Sequence, residues 1–173
     1  MAPVIPQVMS NPASSYSVRK AVAEDLGAII EIEKRVHVAP WDEAHFRAEL
    51  DKAYSTTLVM TDDETDSVIT GYSVFWILYD ETQILNLAVD LPYRGLGIAR
   101  ELIRKVVSLG LKKETQRVIL EVRKSNQAAI QLYQSMKFTI SQVRKGFYSD
   151  GEDAYTMVLD LTEHFESPQE KAF

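Results

Sequence analysis

The sequence predicts one mixed α/β (α+β) domain, with helices inserted into a mostly antiparallel run of strands. Three observations predict it. Strand-like stretches at 56–61, 68–78 and 84–90 follow one another closely, and the polar "DDETDS" (62–67) between the first two suits a hairpin turn. An amphipathic helical stretch at 98–113 separates the strand-like 84–90 and 117–123, which is the pattern of a parallel crossover. Two further strand-like stretches close the chain after another helix. At 173 residues the chain is long enough to bury a sizeable core, and no internal repeat divides it.

The elements follow in order. The start, "MAPVIPQVMSNPASS", holds three of the six prolines and reads as a flexible leader over 1–15, without the basic and continuous apolar regions of a signal peptide. "YSVRKA" (16–21) is a short strand. "EDLGAIIEIEKRVH" (24–37) carries Leu26, Ile29, Ile30 and Glu33 at helical spacing, three apolar and one polar, with Glu24 and Asp25 suited to its first turn. Pro40 ends it, and "DEAHFRAEL" (42–50) starts another helix with Phe46 and Leu50 four apart. "VITGYSVFWIL" (68–78) has both alternating sets apolar toward its end, which predicts a central strand covered on both faces. The helix at 98–113 lays Ile98, Leu102, Val106 and Leu109 along one stripe. "RVILEVR" (117–123) is a strand, "NQAAIQLYQSMK" (126–137) a helix, and 138–148 and 154–161 a closing pair of strands. The tail 162–173 is polar.

Composition excludes several function classes. The net charge is −6, which argues against nonspecific nucleic-acid binding and mildly favours a cationic substrate. No apolar run reaches the length of a membrane span. The chain has no cysteine, hence no disulfide, thiol nucleophile or thiolate metal site, and it suits a reducing compartment such as the cytoplasm. His37, His45 and His164 show no metal-ligand spacing, so no metal is expected.

"YRGLGIA" (93–99) places two glycines between a strand and a helix. It fits neither common phosphate loop. Arg100 stands where G-x-G-x-x-G requires its third glycine, and no Gly-Lys pair follows at P-loop spacing. Yet Gly95 and Gly97 let the backbone turn close to a ligand, and the N–H groups from Gly95 to Arg100 face outward at a helix start. Arg94 and Arg100 add positive charge. The stretch is therefore either an ordinary turn or an anion cradle. Glu121 is an acid in the middle of a largely apolar strand, and a buried carboxylate needs a partner. That partner is Arg117 or Arg123 on the same strand face, or the acid serves chemistry. Tyr133 is a core residue packed with Ile130 and Met136, or a proton donor. Asn126 stands where a helix N-cap belongs.

Two blocks, "AVDLPYRGLGIARELI" and "LEVRKSNQAAIQLYQSMKF", resemble the acyl-CoA and catalytic motifs of the GNAT N-acetyltransferase family. In the first, Arg94, Gly97 and Ala99 match an Arg/Gln-x-x-Gly-x-Gly/Ala pattern. "HVAPWDEAHF", "DETQILNLAVD" and "GEDAYTMVLDL" extend the similarity toward the ribosomal-protein-alanine N-acetyltransferase group. The resemblance covers 16–161 and implies a central, mostly antiparallel sheet of six to seven strands flanked by about four helices. It implies acetyl-CoA as cofactor and the free N-terminal α-amine of a protein, such as a ribosomal protein, as acceptor. Glu121 would be the base, directly or through water, and Tyr133 the acid. Leu87, Ala88 and Val89, at a strand bulge, would polarise the acetyl carbonyl and pair with the pantetheine arm. Arg94, Gly95, Leu96, Gly97, Ile98, Ala99 and Arg100 would hold the pyrophosphate, with Asn126 also touching the cofactor. Trp41, Asn86, Phe147 and Tyr148 would meet the peptide, where Trp41 could equally be a core anchor. The family usually has two adjacent tyrosines at that last site; Phe147 lacks one hydroxyl. Glu81 would help neutralise the incoming ammonium or be a solvated turn residue. The alternatives are another amine (lysine, a polyamine or an aminoglycoside) or a non-catalytic acetyl-CoA-binding module, which would need neither Glu121 nor Tyr133.

Overall fold

Among the described residues, seven strands form one sheet in the order β1-β2-β3-β4-β5-β7-β6, and only the β4–β5 pairing is parallel. The computed structural model describes residues 16–62 and 68–164. The leader (1–15), most of the polar turn before β3 and the tail beyond 164 lie outside the described residues. The strands are β1 (Tyr16–Lys20), β2 (Ser55–Asp62), β3 (Ile69–Leu78), β4 (Glu81–Val89), β5 (Arg117–Arg123), β6 (Thr139–Arg144) and β7 (Ala154–Asp160). Among the described residues, four α-helices accompany them: α1 (Leu26–Val36), α2 (Glu43–Leu50), α3 (Ile98–Lys112) and α4 (Gln127–Ser135). The mixed, mostly antiparallel sheet with four helices is the architecture the sequence predicts, and α3 is the crossover between the parallel strands.

The central strands are covered on both faces, and their period-two alternation sorts side chains between the two. Leu58, Met60 and Phe75 join α3 and α4 on one face. Val59, Tyr72 and Val74 join α1 and α2 on the other. β3 is buried on both faces, but from Ile69 to Phe75 and not toward its end, because Trp76–Leu78 run out into the hairpin with β4. Gly71 of β3 lies so close to β4 that a Cβ there would stand 2.8 Å from the Ala88 carbonyl oxygen.

Three local differences from the sequence reading bear on function. The buried stripe of α1 is Leu26, Ile29, Ile32 and Glu33, so Ile32 replaces Ile30 and the polar Glu33 faces inward. β4 begins at Glu81, because Glu81–Gln83 already pair with β3 and β5. Finally, Leu91–Tyr93 form a short 3-10 turn whose cap is Asp90, with Pro92 inside it. The extended residue before the turn is thus Asp90 and not Leu91, since Pro92 fits the first positions of a helical turn, where its missing N–H costs nothing.

Candidate active site

β4 and β5 begin as neighbours and then part. Glu81–Ile84 pair with Arg117–Leu120, whereas Leu85–Val89 and Glu121–Arg123 make no pairing with each other. The register between β3 and β4 shifts so that Val74 faces Asn86 and Phe75 faces Ile84, leaving Leu85 as the extra residue. A bulge bends its strand. Here the bend begins at Leu85, ahead of the 87–89 stretch named from the resemblance. The fork opens into a cavity of about 790 Å3 lined by both strands, the starts of α3 and α4, and the end of α1.

One end of this cavity is the glycine turn. Gly95 has φ +77° and Gly97, the N-cap of α3, has φ +84° and ψ +3°. Both lie in the left-handed region that costs a side-chain-bearing residue but not glycine. A Cβ on either would meet nothing within 4 Å, so the turn opens to free space. The first N–H groups of α3 have no acceptor within the helix, and its dipole adds partial positive charge. Asp90 anchors the start of the turn: its carboxylate takes a bidentate pair from Arg35 (3.0 and 2.8 Å) and accepts from the Leu91 N–H. The Arg35 guanidinium holds that carboxyl below its ordinary pKa. Arg94 Nε donates to the Val89 carbonyl at 3.4 Å, and Arg100 Nη2 donates to Ser135 Oγ of α4 at 2.7 Å. Asn126 accepts from the Ala129 N–H and is the N-cap of α4.

The other end carries Glu121, Tyr133 and the aromatic hairpin before β7. Glu121 is largely buried and pairs with Arg144 Nη1 of β6 at 3.1 Å. Neither arginine of its own strand is its partner. Arg117 pairs with Glu81, and Arg123 pairs with Asp150 and Glu152. Glu81 is therefore neither a free solvated residue nor a wall of the cavity. Burial pushes the Tyr133 phenol up to about 12, and its ring packs against Phe138. Tyr148 lies under the Arg123 guanidinium at 3.9 Å, and Phe147 under that of Arg144 at 4.2 Å. Hydrogen bonds from Ser125, with Arg123 beside it, hold Glu152 down at about 2. The hairpin is thereby tied to the end of β5.

Of the residues named from sequence, Trp41, Asn86, Leu87, Ala88, Val89, Arg94, Gly95, Gly97, Ile98, Ala99, Arg100, Glu121, Asn126, Tyr133 and Tyr148 line this one cavity. Three do not: Leu96 packs against the core, Phe147 stands 40% exposed beside Arg144, and Glu81 pairs with Arg117. Trp41 lines the cavity and also packs on Phe46, so both readings of it hold. Sequence reasoning missed Glu33, His37 and Arg123 in the wall. The signal for Glu33 was present, as the one polar residue on the apolar stripe of α1.

A phenol titrating near 12 stays protonated at neutral pH and donates a hydrogen bond. Tyr133→Phe is accordingly expected to lower kcat by roughly 10²-fold with little change in KM for the acyl donor, as read by thiol release.

A model of the "Acetyltransferase (GNAT) family" matches residues 26–138 of this chain. A Bacillus subtilis (strain 168) protein, provisionally named a ribosomal protein bS18-alanine N-acetyltransferase, is 36% identical over 149 residues, spanning 85% of this chain and 97% of its own length. The ribosomal protein bS18-alanine N-acetyltransferase of Escherichia coli (strain K12) is 32% identical over 141 residues, spanning 80% of this chain and 93% of its own. A crystal structure of the Escherichia coli ribosomal-protein-S18-alanine N-acetyltransferase superposes with a TM-score of 0.78 at 28% identity, covering 91% of this chain and 99% of that one.

Proposed function

Since this chain belongs to the acetyltransferase (GNAT) family and is one of its N-acetyltransferases, we propose that it transfers acetyl from acetyl-CoA to the free N-terminal α-amine of a protein. A ribosomal protein is the acceptor that its similar relatives suggest, and the cytoplasm is the compartment that suits a chain without cysteine. One observation carries the reading. A single cavity of about 790 Å3 joins an open positive-φ glycine turn at a helix N-terminus to a carboxylate and a protonated phenol, along a strand edge without a partner strand.

Acetyl-CoA fits these features and would supply an activated acyl group as a thioester. The N–H groups at the start of α3 would take the pyrophosphate. The free edge at Leu87–Val89 offers backbone donors and acceptors to an extended arm and to a polarised carbonyl. Glu121 takes the proton that an ammonium must lose to become a nucleophile. An α-ammonium titrates at ~7.7–8.0, so this base has a small gap to close at neutral pH. Tyr133 donates to the departing sulfur. Trp41 and Tyr148 wall the end at which a peptide would enter.

The test is transfer to short peptides, some with free Ala, Ser, Met or Thr N-termini and some N-blocked with an internal lysine, with mass spectrometry to place the acetyl group. Label on free N-termini alone supports the reading. Label on lysine reassigns the acceptor. Tight acetyl-CoA binding without transfer to any peptide overturns the peptide assignment.

A further inference from the structure

Glu33 is 1% exposed and lies in the wall of the cavity, yet no step above uses it. Every hydrogen-bonding group presented to it is a donor. The Trp41 backbone N–H donates to Oε1 at 2.8 Å, Asn86 Nδ2 donates to the same oxygen at 3.2 Å, and the Tyr72 hydroxyl donates to Oε2. Burial and the neighbouring carboxylate raise the Tyr72 pKa, so that hydroxyl keeps its proton. A carboxyl surrounded only by donors is an ionised carboxylate, which accepts and does not donate. Its only ion-pair geometry among the described residues is with His37, whose Nε2 stands 3.4 Å from Oε2, is itself buried and makes no hydrogen bond.

Four other carboxylates in the fold with little exposure are each matched by a cation: Asp25 by Arg19, Asp90 by Arg35, Glu49 by Lys52 and Glu121 by Arg144. Glu33 is more buried than any of them and, among the described residues, has no lysine or arginine partner. A buried charge without a permanent countercharge is costly and persists where something else supplies the opposite sign. Its neighbours Trp41 and Asn86 both line the cavity.

We infer that Glu33 is the anionic counter-charge for the acceptor's ammonium and, by fastening the Trp41 N–H and the Asn86 amide, sets the two walls between which that ammonium is held. This rests on the reading of the acceptor as an N-terminal amine. Glu33 is a positioning residue and not the base, because its oxygens are already occupied by donors.

The test uses the full chain with CoA present and two peptides of one sequence, one with a free and one with an acetylated N-terminus. The wild type is expected to bind the free peptide about tenfold more tightly than the blocked one. Glu33→Gln should reduce that preference to less than about twofold. Glutamine fits the same contacts, since its Oε1 can accept from Trp41 and Asn86 while its Nε2 donates to the Tyr72 oxygen, so the melting temperature should change little. A second variant, His37→Lys, puts a permanent cation beside Glu33 without altering it and should erase the preference in the same way. Equal weakening of both peptides would make Glu33 merely structural, and an unchanged preference in either folded variant would likewise overturn the proposal. Wild-type transfer reads the α-amine assignment separately. If the acceptor proves to be a lysine, the same paired binding with free and acetylated lysine supports or overturns Glu33 on the same criterion.

Discussion

Replacing Glu121 by glutamine is expected to lower kcat for acetyl transfer by about 10²–10⁴-fold while the Kd for acetyl-CoA stays near its wild-type value. The substitution keeps shape and removes only proton affinity and charge. Its structural cost is small, because the lost pair is with an Arg144 that is 45% exposed, and half-exposed pairs contribute about 1 kcal/mol or less. A fall in kcat with an unchanged melting temperature therefore reports chemistry. An unaltered rate would remove Glu121 from the mechanism and leave it as the partner of Arg144. The residue lines the cavity from the part of β5 that has separated from β4.

Gly97→Arg is expected to weaken acetyl-CoA binding by about 100-fold or more while the protein stays folded. The φ of +84° costs a non-glycine residue about 1–2 kcal/mol in strain. Since a Cβ there meets no atom within 4 Å, no core contact is broken. The larger effect comes from an arginine side chain filling the space into which the first N–H groups of α3 point. Gly97→Ala separates the two terms, for it carries the strain without the bulk. Retained affinity in the arginine variant, measured by calorimetry, would show the turn to be only a turn.

Much of this arrangement was legible in the sequence because the strands and the main helix carry clear periods. α3 buries Ile98, Leu102 and Val106 of its expected stripe and leaves Leu109 only partly buried, and β5 is bounded where "RVILEVR" ends. The glycines at 95 and 97 announced a backbone that only glycine adopts freely. What could not be read is where β4 leaves β5. "ILNLAVD" alternates in the same way whether its far edge is paired or bare, since hydrogen bonding along a strand edge leaves no mark on side-chain period. The partner of Glu121 was hidden for a related reason: Arg144 belongs to β6, which reaches it across β7. Glu33 was hidden less deeply. The question asked of Glu121, where a buried acid finds its partner, applies equally to an acid on an apolar helix stripe, and its answer lay in Tyr72, Asn86 and the Trp41 backbone.

The fork also bears on how the chain is made. β2, β3 and β4 are consecutive antiparallel neighbours and can assemble as soon as they are synthesised, while β5 can join β4 only after α3 has crossed over between them. At ~5–20 residues per second the wait is on the order of seconds. Throughout it, the nascent chain bears a whole bare strand edge with Ile84, Leu85 and Leu87 beside it, the kind of surface on which neighbouring chains add strands. When β5 arrives it closes only the first half of that edge. The half left open, from Leu85 to Val89, is the stretch a ribosome-bound intermediate and the finished enzyme have in common. On the function proposed above, those five positions meet two demands, to accept an extended ligand in the finished protein and to accept no other chain before β5 is complete.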